Sequence, residues 1–183
     1  MAEVTTPRIR LVRDVGRIGT HRARRYCAGM LRTMLAQDAE AVAALIRTAF
    51  AAQAVVTDPL PSALRVTEAD VSAHLARGGG GAVAQIEGAL AGSVLWETKD
   101  GGLYVSRVAV APVFRRRGIA RALMAAAEGA ARGSGLLFVH LGTRLVLADN
   151  RRLFSACGFV ETECTAHPGY SEPTSVTMVK QVV

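Results

Sequence analysis

Apolar residues recur at helical spacing in two segments of the chain. Asp38 fits the N-cap of the first segment, whose apolar positions are Val42, Leu45, Ile46, Ala49 and Phe50. The second segment ends at Gly133 and Gly135, and its apolar positions are Ile119, Ala120, Leu123, Met124, Ala127, Ala130 and Ala131. Side chains three and four positions apart share one face of a helix. Each segment is therefore predicted to form a helix that packs one face against a core.

Two shorter helices are predicted from their boundary residues. Thr67 and Asp70 form a capping box with Asp in the place of Glu, which begins a helix that runs to about Ala76. The glycines at 78–81 end that helix. Another short helix is predicted over residues 150–157, where Gly158 ends it.

The remaining apolar segments are predicted strands, at 82–86, 90–97, 103–111, 136–141, 159–165 and 174–182. Turn signals at 87–89 and 99–102 join the first three. The 103–111 strand is apolar on both faces except at Ser106 and Arg107, which is typical of a central strand, and Pro112 ends it. The order of elements predicts one α/β (α+β) domain, with helices flanking a mixed, mostly antiparallel sheet that has one parallel crossover.

The positive charge of the chain is concentrated at its start. The 183 residues carry a formal charge of +7, and residues 1–28 contribute +5 of it through seven arginines against Glu3 and Asp14. We therefore expect a basic arm at 1–28 and a folded domain at 29–183. Such an arm can bind nucleic acid or an anionic membrane. We favour instead a tail without a partner, or a start codon assigned upstream of Met30, because Tyr26 is the arm's only aromatic residue.

Composition narrows the protein class further. Half of the residues are hydrophobic and a fifth are charged, which predicts a folded chain. We find no apolar run long enough for a signal peptide or a membrane span. The three cysteines (Cys27, Cys157 and Cys164) lack metal-ligand spacing, and their odd number disfavours a secreted disulfide framework. A cytoplasmic protein without a metal is expected.

The segment 108–120 carries the strongest chemical signal. A buried strand ends at Pro112, and the basic loop Arg115-Arg116-Arg117-Gly118 leads directly into a helix. The first N–H groups of a helix lack intrahelical partners and lie at its positive end, so this place favours a phosphate group. Gly118 and the small Ala120 let an anion approach the backbone. An ordinary solvated helix start is the alternative, and the loop matches neither a Walker A nor a Gly-x-Gly-x-x-Gly pattern.

Two motifs in order resemble those of GNAT-type N-acetyltransferases. Val108-Ala109-Val110, Pro112 and then Arg115-x-x-Gly118-x-Ala120 is similar to that family's acetyl-CoA signature, Gln/Arg-x-x-Gly-x-Gly/Ala. The segment from Asn150 to Phe159 resembles the second motif, Asn-x-x-Leu-Tyr-x-x-x-Gly-Phe. The resemblance covers about residues 31–182 and excludes the basic arm.

The resemblance implies a fold and a reaction. The sheet would be splayed at the acetyl-CoA site, with Val108, Ala109 and Val110 along the pantetheine arm and the Val110 N–H as oxyanion donor. The pyrophosphate would be bound by Arg115, Arg116, Arg117, Gly118, Ile119 and Ala120, and Asn150 would contact acetyl-CoA near the second motif. The acceptor would be a primary amine of an unidentified small molecule or peptide, which attacks the thioester directly. A homodimer is common among such domains.

The sequence marks the acid and the base of this reaction less clearly than it marks the acetyl-CoA site. Phe154 occupies the position of the family's tyrosine and has no proton to give. Tyr170 can replace it as the acid if its loop folds over the site, and the alternative is that Tyr170 is an ordinary turn residue. Glu97 is the candidate base, and the alternative is that it is an ordinary solvated carboxylate. Ser155 and Cys157 are further substitutes, though packing or surface roles suit them better. Trp96 and His140 are predicted core residues.

Strand alternation places Tyr104 and Ser106 on one face with Val108 and Val110, so one of the two polar residues is a candidate for the acceptor pocket.

Two other functions compete with acetyl transfer. A non-catalytic acyl-CoA sensor of the same fold would explain Phe154 and the unassigned base. A nucleic-acid-associated protein would work through the basic arm. The segments expected on the acceptor side, residues 52–66, 97–102 and 166–173, contain no acidic cluster, which disfavours polycationic acceptors.

Overall fold

The computed structural model describes residues 31–182. The basic arm predicted at 1–28 lies outside these residues, and the boundary between arm and domain remains a prediction. The strands are β1 Leu31–Thr33, β2 Gly80–Ile86, β3 Ala89–Lys99, β4 Gly102–Val110, β5 Phe138–Arg144, β6 Val160–Thr165 and β7 Ser175–Gln181. The α-helices are α1 Ala39–Ala51, α2 Glu68–Ala76, α3 Ile119–Gly133 and α4 Ala148–Ala156, and short 3-10 turns lie at Ala36–Asp38, Ser62–Arg65 and Pro112–Phe114.

The described strands form one sheet in the order β1-β2-β3-β4-β5-β7-β6. Neighbouring strands are antiparallel except β4 and β5, which are parallel and are connected through α3. This confirms the predicted mixed sheet with one parallel crossover. The short strand β1 has no strong sequence signal and forms because its backbone pairs with β2 at 82–84.

The sheet separates two apolar cores. The first core lies under α3 and α4 and contains Leu123, Met124, Phe154, Leu103, Val105, Val139 and Leu141. The second core lies under α1 and α2 and contains Val42, Ile46, Val71, Val83, Leu95 and Ala109. The first core includes the predicted apolar stripe of α3 except Ala120, and the second core includes that of α1. The predicted core residue His140 is buried and its Nε2 lies 3.1 Å from Lys99 O, while Trp96 packs against the first core.

Both predicted N-cap positions are confirmed, but only Thr67 makes a side-chain capping hydrogen bond. Thr67 Oγ1 accepts from Asp70 N at 3.2 Å, and Thr67 N donates to Asp70 Oδ2 at 2.8 Å. Asp38 occupies the predicted N-cap position of α1, but its side chain makes no capping hydrogen bond, because the 3-10 turn before the helix gives Asp38 a helical backbone. Its carboxylate instead accepts from Arg32 at 2.6 and 2.7 Å, which lowers the pKa of Asp38.

Helix α3 packs very closely on β3 because Gly92 has no side chain. A Cβ at Gly92 would lie 2.8 Å from Ile119 Cγ2, 3.0 Å from Ala109 O and 3.1 Å from Leu123 Cδ1. Any larger residue would push the first turn of α3 away from the sheet. The position of that turn relative to β4 therefore depends on this glycine.

Gly92→Ala is expected to lower the free energy of unfolding by about 1–3 kcal/mol, the typical cost of overpacking a core. Gly129→Ala is the matched control, since a Cβ there meets nothing within 4 Å in the exposed face of α3. It should raise the free energy of unfolding by about 0.5–1 kcal/mol through helix propensity. Urea denaturation measures both, and equal stabilisation by the two alanines would contradict the close packing at Gly92.

Candidate active site

A gap opens between β4 and β5. The two strands pair at three positions, Leu103–Val139, Tyr104–His140 and Val105–Leu141. Beyond them, residues 106–110 of β4 and 142–144 of β5 do not pair with each other in the described part of the chain. We call this opening the β4–β5 gap. The splayed sheet expected from the sequence is therefore present.

The gap begins where β4 carries a β-bulge. The register between β3 and β4 shifts by one residue between Ser93 and Leu95, which places Arg107 and Val108 together opposite Val94. Arg107 has a φ of 52°, in the left-handed region. A bulge bends its strand and increases the local twist, so β4 turns away from β5 at this point.

The bulge also reverses the side-chain alternation of β4. Val108 and Val110 pack against the first core, as Leu103 and Val105 do, while Ala109 lies in the second core. The expectation that Tyr104 and Ser106 share a face with Val108 and Val110 is therefore wrong, because one extra residue separates them. Tyr104 reaches the gap from the other face, where its hydroxyl lies 3.9 Å from the position that a Cβ of Gly142 would take.

Backbone groups of β4 are open to the gap at alternate residues. Ala111 N donates to Ala91 O at 3.0 Å, so Ala111 and, by alternation, Ala109 direct their backbone groups to β3. The N–H groups of Val108 and Val110 consequently point towards the gap. Of the three strand residues predicted to bind a ligand, Val108 and Val110 can offer main-chain hydrogen bonds there, whereas Ala109 contributes a small buried side chain.

The loop before α3 presents a row of open N–H groups. Within residues 31–182, the N–H groups of 116–121 have no protein acceptor, and the first bond of the helix runs from Ala122 N to Gly118 O at 3.1 Å. Arg116 and Gly118 adopt left-handed backbone conformations, with φ of 62° and 81°, that fold the loop back on itself. A Cβ at Gly118 would meet nothing within 4 Å, so the space beside it is open. Ile119 is buried and anchors the turn to the first core, and Ala120 is half-buried.

The three arginines of the loop have different surroundings. The Arg115 guanidinium donates to Ala49 O at 2.8 Å and Ala52 O at 3.0 Å, at the C-terminal end of α1. Arg116 and Arg117 are exposed, and the Arg117 guanidinium lies 5.5 Å from the centre of the Phe114 ring. Arg116 and Arg117 therefore supply the positive charge beside the open N–H groups, while the side chain of Arg115 joins the loop to α1.

The second motif forms the short helix α4, which begins two residues before the predicted start. Asn150 lies in its first turn and is half-buried. Phe154 is buried and packs edge-to-face on Phe159 at 6.3 Å between ring centres, so it is a core residue. Ser155 is exposed, and burial raises the pKa of Cys157, which disfavours its thiolate.

The candidate acid and base lie on opposite sides of the gap. Glu97 is exposed and pairs in register with Tyr104, at the closed end where β4 and β5 are still joined. Strand β4 lies between Glu97 and the opening. The Tyr170 hydroxyl donates to Asp58 Oδ1 at 2.5 Å, and this hydrogen bond raises the pKa of Tyr170. The phenol is therefore protonated throughout the neutral range.

Two loops meet at the far end of β5. Arg144 donates through Nη2 to Pro59 O at 2.7 Å and through Nη1 to His167 Nδ1 at 3.0 Å. Because a guanidinium can only donate, Nδ1 accepts and a neutral His167 has its proton on Nε2. Burial, and secondarily Arg144, lowers the pKa of His167. The sequence pointed to Tyr170 and its loop but not to Asp58 and Arg144, which have no local motif.

Among residues 31–182, no group of three or more His, Cys, Asp or Glu side chains could hold a metal ion. None of the helices in that range is long and apolar enough to cross a membrane.

The family described as "Acetyltransferase (GNAT) family" has a sequence model that matches residues 39–159. This range includes both motifs and the whole β4–β5 gap. No curated protein sequence is significantly similar to the chain.

Solved structures share the fold. A GNAT-family protein from Desulfovibrio desulfuricans superposes with a TM-score of 0.67 at 22% identity, over 84% of this chain and 98% of that one. The yncA protein of Salmonella typhimurium, solved with its cofactor acetyl-CoA, has a TM-score of 0.65 at 20% identity, over 85% and 95%. A ribosomal-protein-alanine N-acetyltransferase from Brucella melitensis has a TM-score of 0.64 at 21% identity, over 82% and 98%. At these identities the similarity shows the fold.

Arg115→Met is expected to lower the free energy of unfolding by about 1 kcal/mol, because it removes two hydrogen bonds to the end of α1 while keeping an aliphatic stem. Arg116→Met is the matched control at an exposed neighbour and should change it by less than about 0.5 kcal/mol. Urea denaturation of both variants measures the difference. Equal stability of the two variants would contradict a structural role for the Arg115 side chain.

Proposed function

The chain belongs to the GNAT family of acetyltransferases, and from this we propose that it transfers the acetyl group of acetyl-CoA to a primary amine by direct attack. The acceptor is a small molecule or a peptide. The observation that carries the proposal is the row of open N–H groups at 116–121, which directly follows a strand that has separated from its neighbour.

The residues of this row fit the pyrophosphate of acetyl-CoA. Open N–H groups at a helix start bind phosphate oxygens, and the open space at Gly118 allows the anion to reach them. Arg116 and Arg117 add donors and positive charge from the exposed side of the loop. Ile119 and Ala120 contribute through their backbone, and Arg115 acts by holding the loop against α1.

The gap accommodates the rest of acetyl-CoA. The outward backbone groups of Val108 and the outward C=O of Val110 can pair with the amides of the pantetheine arm, much as a neighbouring strand would. Asn150 lies in the first turn of α4 and adds a side-chain amide from that side. In yncA, a protein of the same fold, acetyl-CoA is the bound cofactor.

In the chemical step, the amine nitrogen attacks the thioester carbonyl and the CoA thiolate leaves. The Val110 N–H polarises the carbonyl and stabilises the negative charge that forms on its oxygen. The structure of the gap contributes by holding both reactants in line, which removes much of the entropic cost of a bimolecular reaction. The amine must lose a proton, and the thiolate must gain one.

We assign these proton transfers to Glu97 and Tyr170. Glu97 accepts the amine proton through water, since β4 lies between its carboxylate and the opening. Tyr170 is the acid, because the raised pKa keeps its hydroxyl protonated and the buried Phe154 has none to offer. For this transfer, the Tyr170 hydroxyl gives up its hydrogen bond to Asp58 and donates its proton to the CoA thiolate instead.

The second candidate function is a non-catalytic acyl-CoA sensor. It is favoured by Phe154, which fills the core at the position of the family's tyrosine. A sensor binds acetyl-CoA but releases no free thiol with any amine. Calorimetry together with a thiol-release assay over a broad amine panel separates the two functions.

Gly118→Glu tests the pyrophosphate site. It places a carboxylate beside the open N–H groups, and the Kd for acetyl-CoA measured by calorimetry is expected to rise by at least about tenfold. Gly135→Glu is the matched control at the other end of α3, where the glycine also has a left-handed backbone (φ 69° against 81°) and open space within 4 Å. It should bind acetyl-CoA as the unaltered protein does. Equal weakening by both variants would place the binding elsewhere.

Tyr170→Phe tests the proposed acid and is expected to lower kcat by about 100-fold, with little change in the Kd for acetyl-CoA. Asp58→Ala breaks the same hydrogen bond but leaves the hydroxyl in place, so it should keep most of the activity. A thiol-release assay at saturating acetyl-CoA measures both variants. Equal losses would mean that the Tyr170–Asp58 hydrogen bond only holds the loops together.

A further inference from the structure

Two arginines lie on opposite sides of the β4–β5 gap. Arg107 is the bulged residue of β4, and Arg144 is the last residue of β5. Both are half-buried. Neither forms an ion pair with a carboxylate in the described part of the chain, although several surface arginines do.

A single short segment connects the two guanidinium groups. Arg107 Nη2 donates to Ser62 Oγ at 2.8 Å, and Arg144 Nη2 donates to Pro59 O at 2.7 Å. Because Pro59 and Ser62 are three residues apart, their Cα atoms are separated by at most roughly 11 Å. The segment 59–62 therefore bridges the mouth of the gap, and the two positive charges face it from either side.

The acidic residues nearest to these arginines are already engaged. Asp70, which lies on the side of Arg107, accepts from Thr67 N at 2.8 Å and Thr67 Oγ1 at 2.7 Å. Asp58, on the side of Arg144, accepts from the Tyr170 hydroxyl. Burial lowers the pKa of both guanidinium groups, so each charge is partly desolvated without a contacting counter-ion among these residues.

Donor groups remain available on both side chains. A guanidinium has five N–H donors; Arg107 uses its Nη2 and Arg144 uses both Nη groups in the hydrogen bonds described. The Nε of each arginine and the Nη1 of Arg107 are left for another acceptor. The bulge also holds Arg107 in a backbone conformation that favours glycine, so a long charged side chain is retained there at a conformational cost.

We propose that Arg107 and Arg144 form an anion subsite on the acceptor side of the gap, and that the acceptor is an amino acid whose carboxylate binds there while its amine faces the thioester. The inference rests on the proposed function and names the substrate class of the same site. Partly buried arginines bind a carboxylate through charge-assisted hydrogen bonds with defined geometry. The subsite also excludes polycationic amines, in agreement with the acceptor-side segments having no acidic cluster.

The test compares pairs of acceptors that differ in the carboxylate alone. Each of the common L-amino acids is assayed beside its carboxamide for thiol release from acetyl-CoA. Removing the carboxylate lowers the pKa of the ammonium group, so rates are compared per free amine. We expect kcat/KM for at least one acid to exceed that of its amide by about tenfold or more, mostly through a lower KM.

Arg144→Gln and Arg107→Gln should each reduce that acid-to-amide ratio towards one, with acetyl-CoA binding retained as the check on folding. Arg65→Gln is the matched control, because it removes an exposed positive charge from the adjoining 3-10 turn and should leave the ratio unchanged. A ratio that falls equally in all three variants would mean a general effect of net charge and would overturn the subsite.

Failure of the inference is distinguishable from failure of the proposed function. Acetylation of amines with no preference for the acid overturns the subsite and leaves acetyl transfer standing. A preference for O-phosphoethanolamine over ethanolamine, with none among amino acids, overturns the carboxylate assignment. If no amine is acetylated, calorimetry on the CoA-loaded protein still tests the subsite. The subsite is supported if an amino acid binds, its amide does not, and Arg144→Gln abolishes the binding of the acid. It is overturned if the acid binds no better than its amide.

Discussion

The bulge at Arg107 is the constraint on which the candidate site depends. Two residues of β4 stand opposite one residue of β3, so the strand bends and cannot stay paired with β5 beyond Val105. The same extra residue returns Val108 and Val110 to the first core and leaves their N–H groups facing the gap. A strand that would otherwise be a closed part of the sheet becomes one wall of the candidate site, while Val108 and Val110 still pack against the first core.

The position of the loop before α3, the candidate anion site, follows from contacts on both sides of the sheet. Gly92 lets the first turn of α3 lie against β3, and Ile119 fixes that turn in the first core. On the other side, the Arg115 guanidinium binds the last carbonyls of α1. The open N–H groups between these anchors are therefore held in place before any ligand is bound, which reduces the ordering cost of binding.

The side of the gap proposed to take the acceptor is built differently, from long side chains and loops. Tyr170 and Asp58 connect the loop before β7 to the loop after α1, and Arg144 connects both of them to β5. Phe154, at the position of the family's tyrosine, is buried in the first core, so the proposed acid comes from outside the second motif. Arg107 and Arg144 lie half-buried at the opening without a contacting carboxylate among the described residues, which is the physical basis for proposing an acidic group on the acceptor.

The sequence by itself determined the order of elements after β1, the amphipathic helices α1 and α3, the capping box at Thr67 and the glycine-containing loop that begins α3, because each depends on residues close together in the chain. Periodicity misplaced Tyr104 and Ser106 relative to Val108, since a bulge adds one residue without any local signature. Arg115 looked like part of an anion site, and only the packing of α1 beside it showed that its guanidinium is engaged elsewhere. Arg107, Arg144 and Asp58 lie far apart in sequence and were brought to one opening by the sheet, so that only the tertiary structure could decide which charges face the gap.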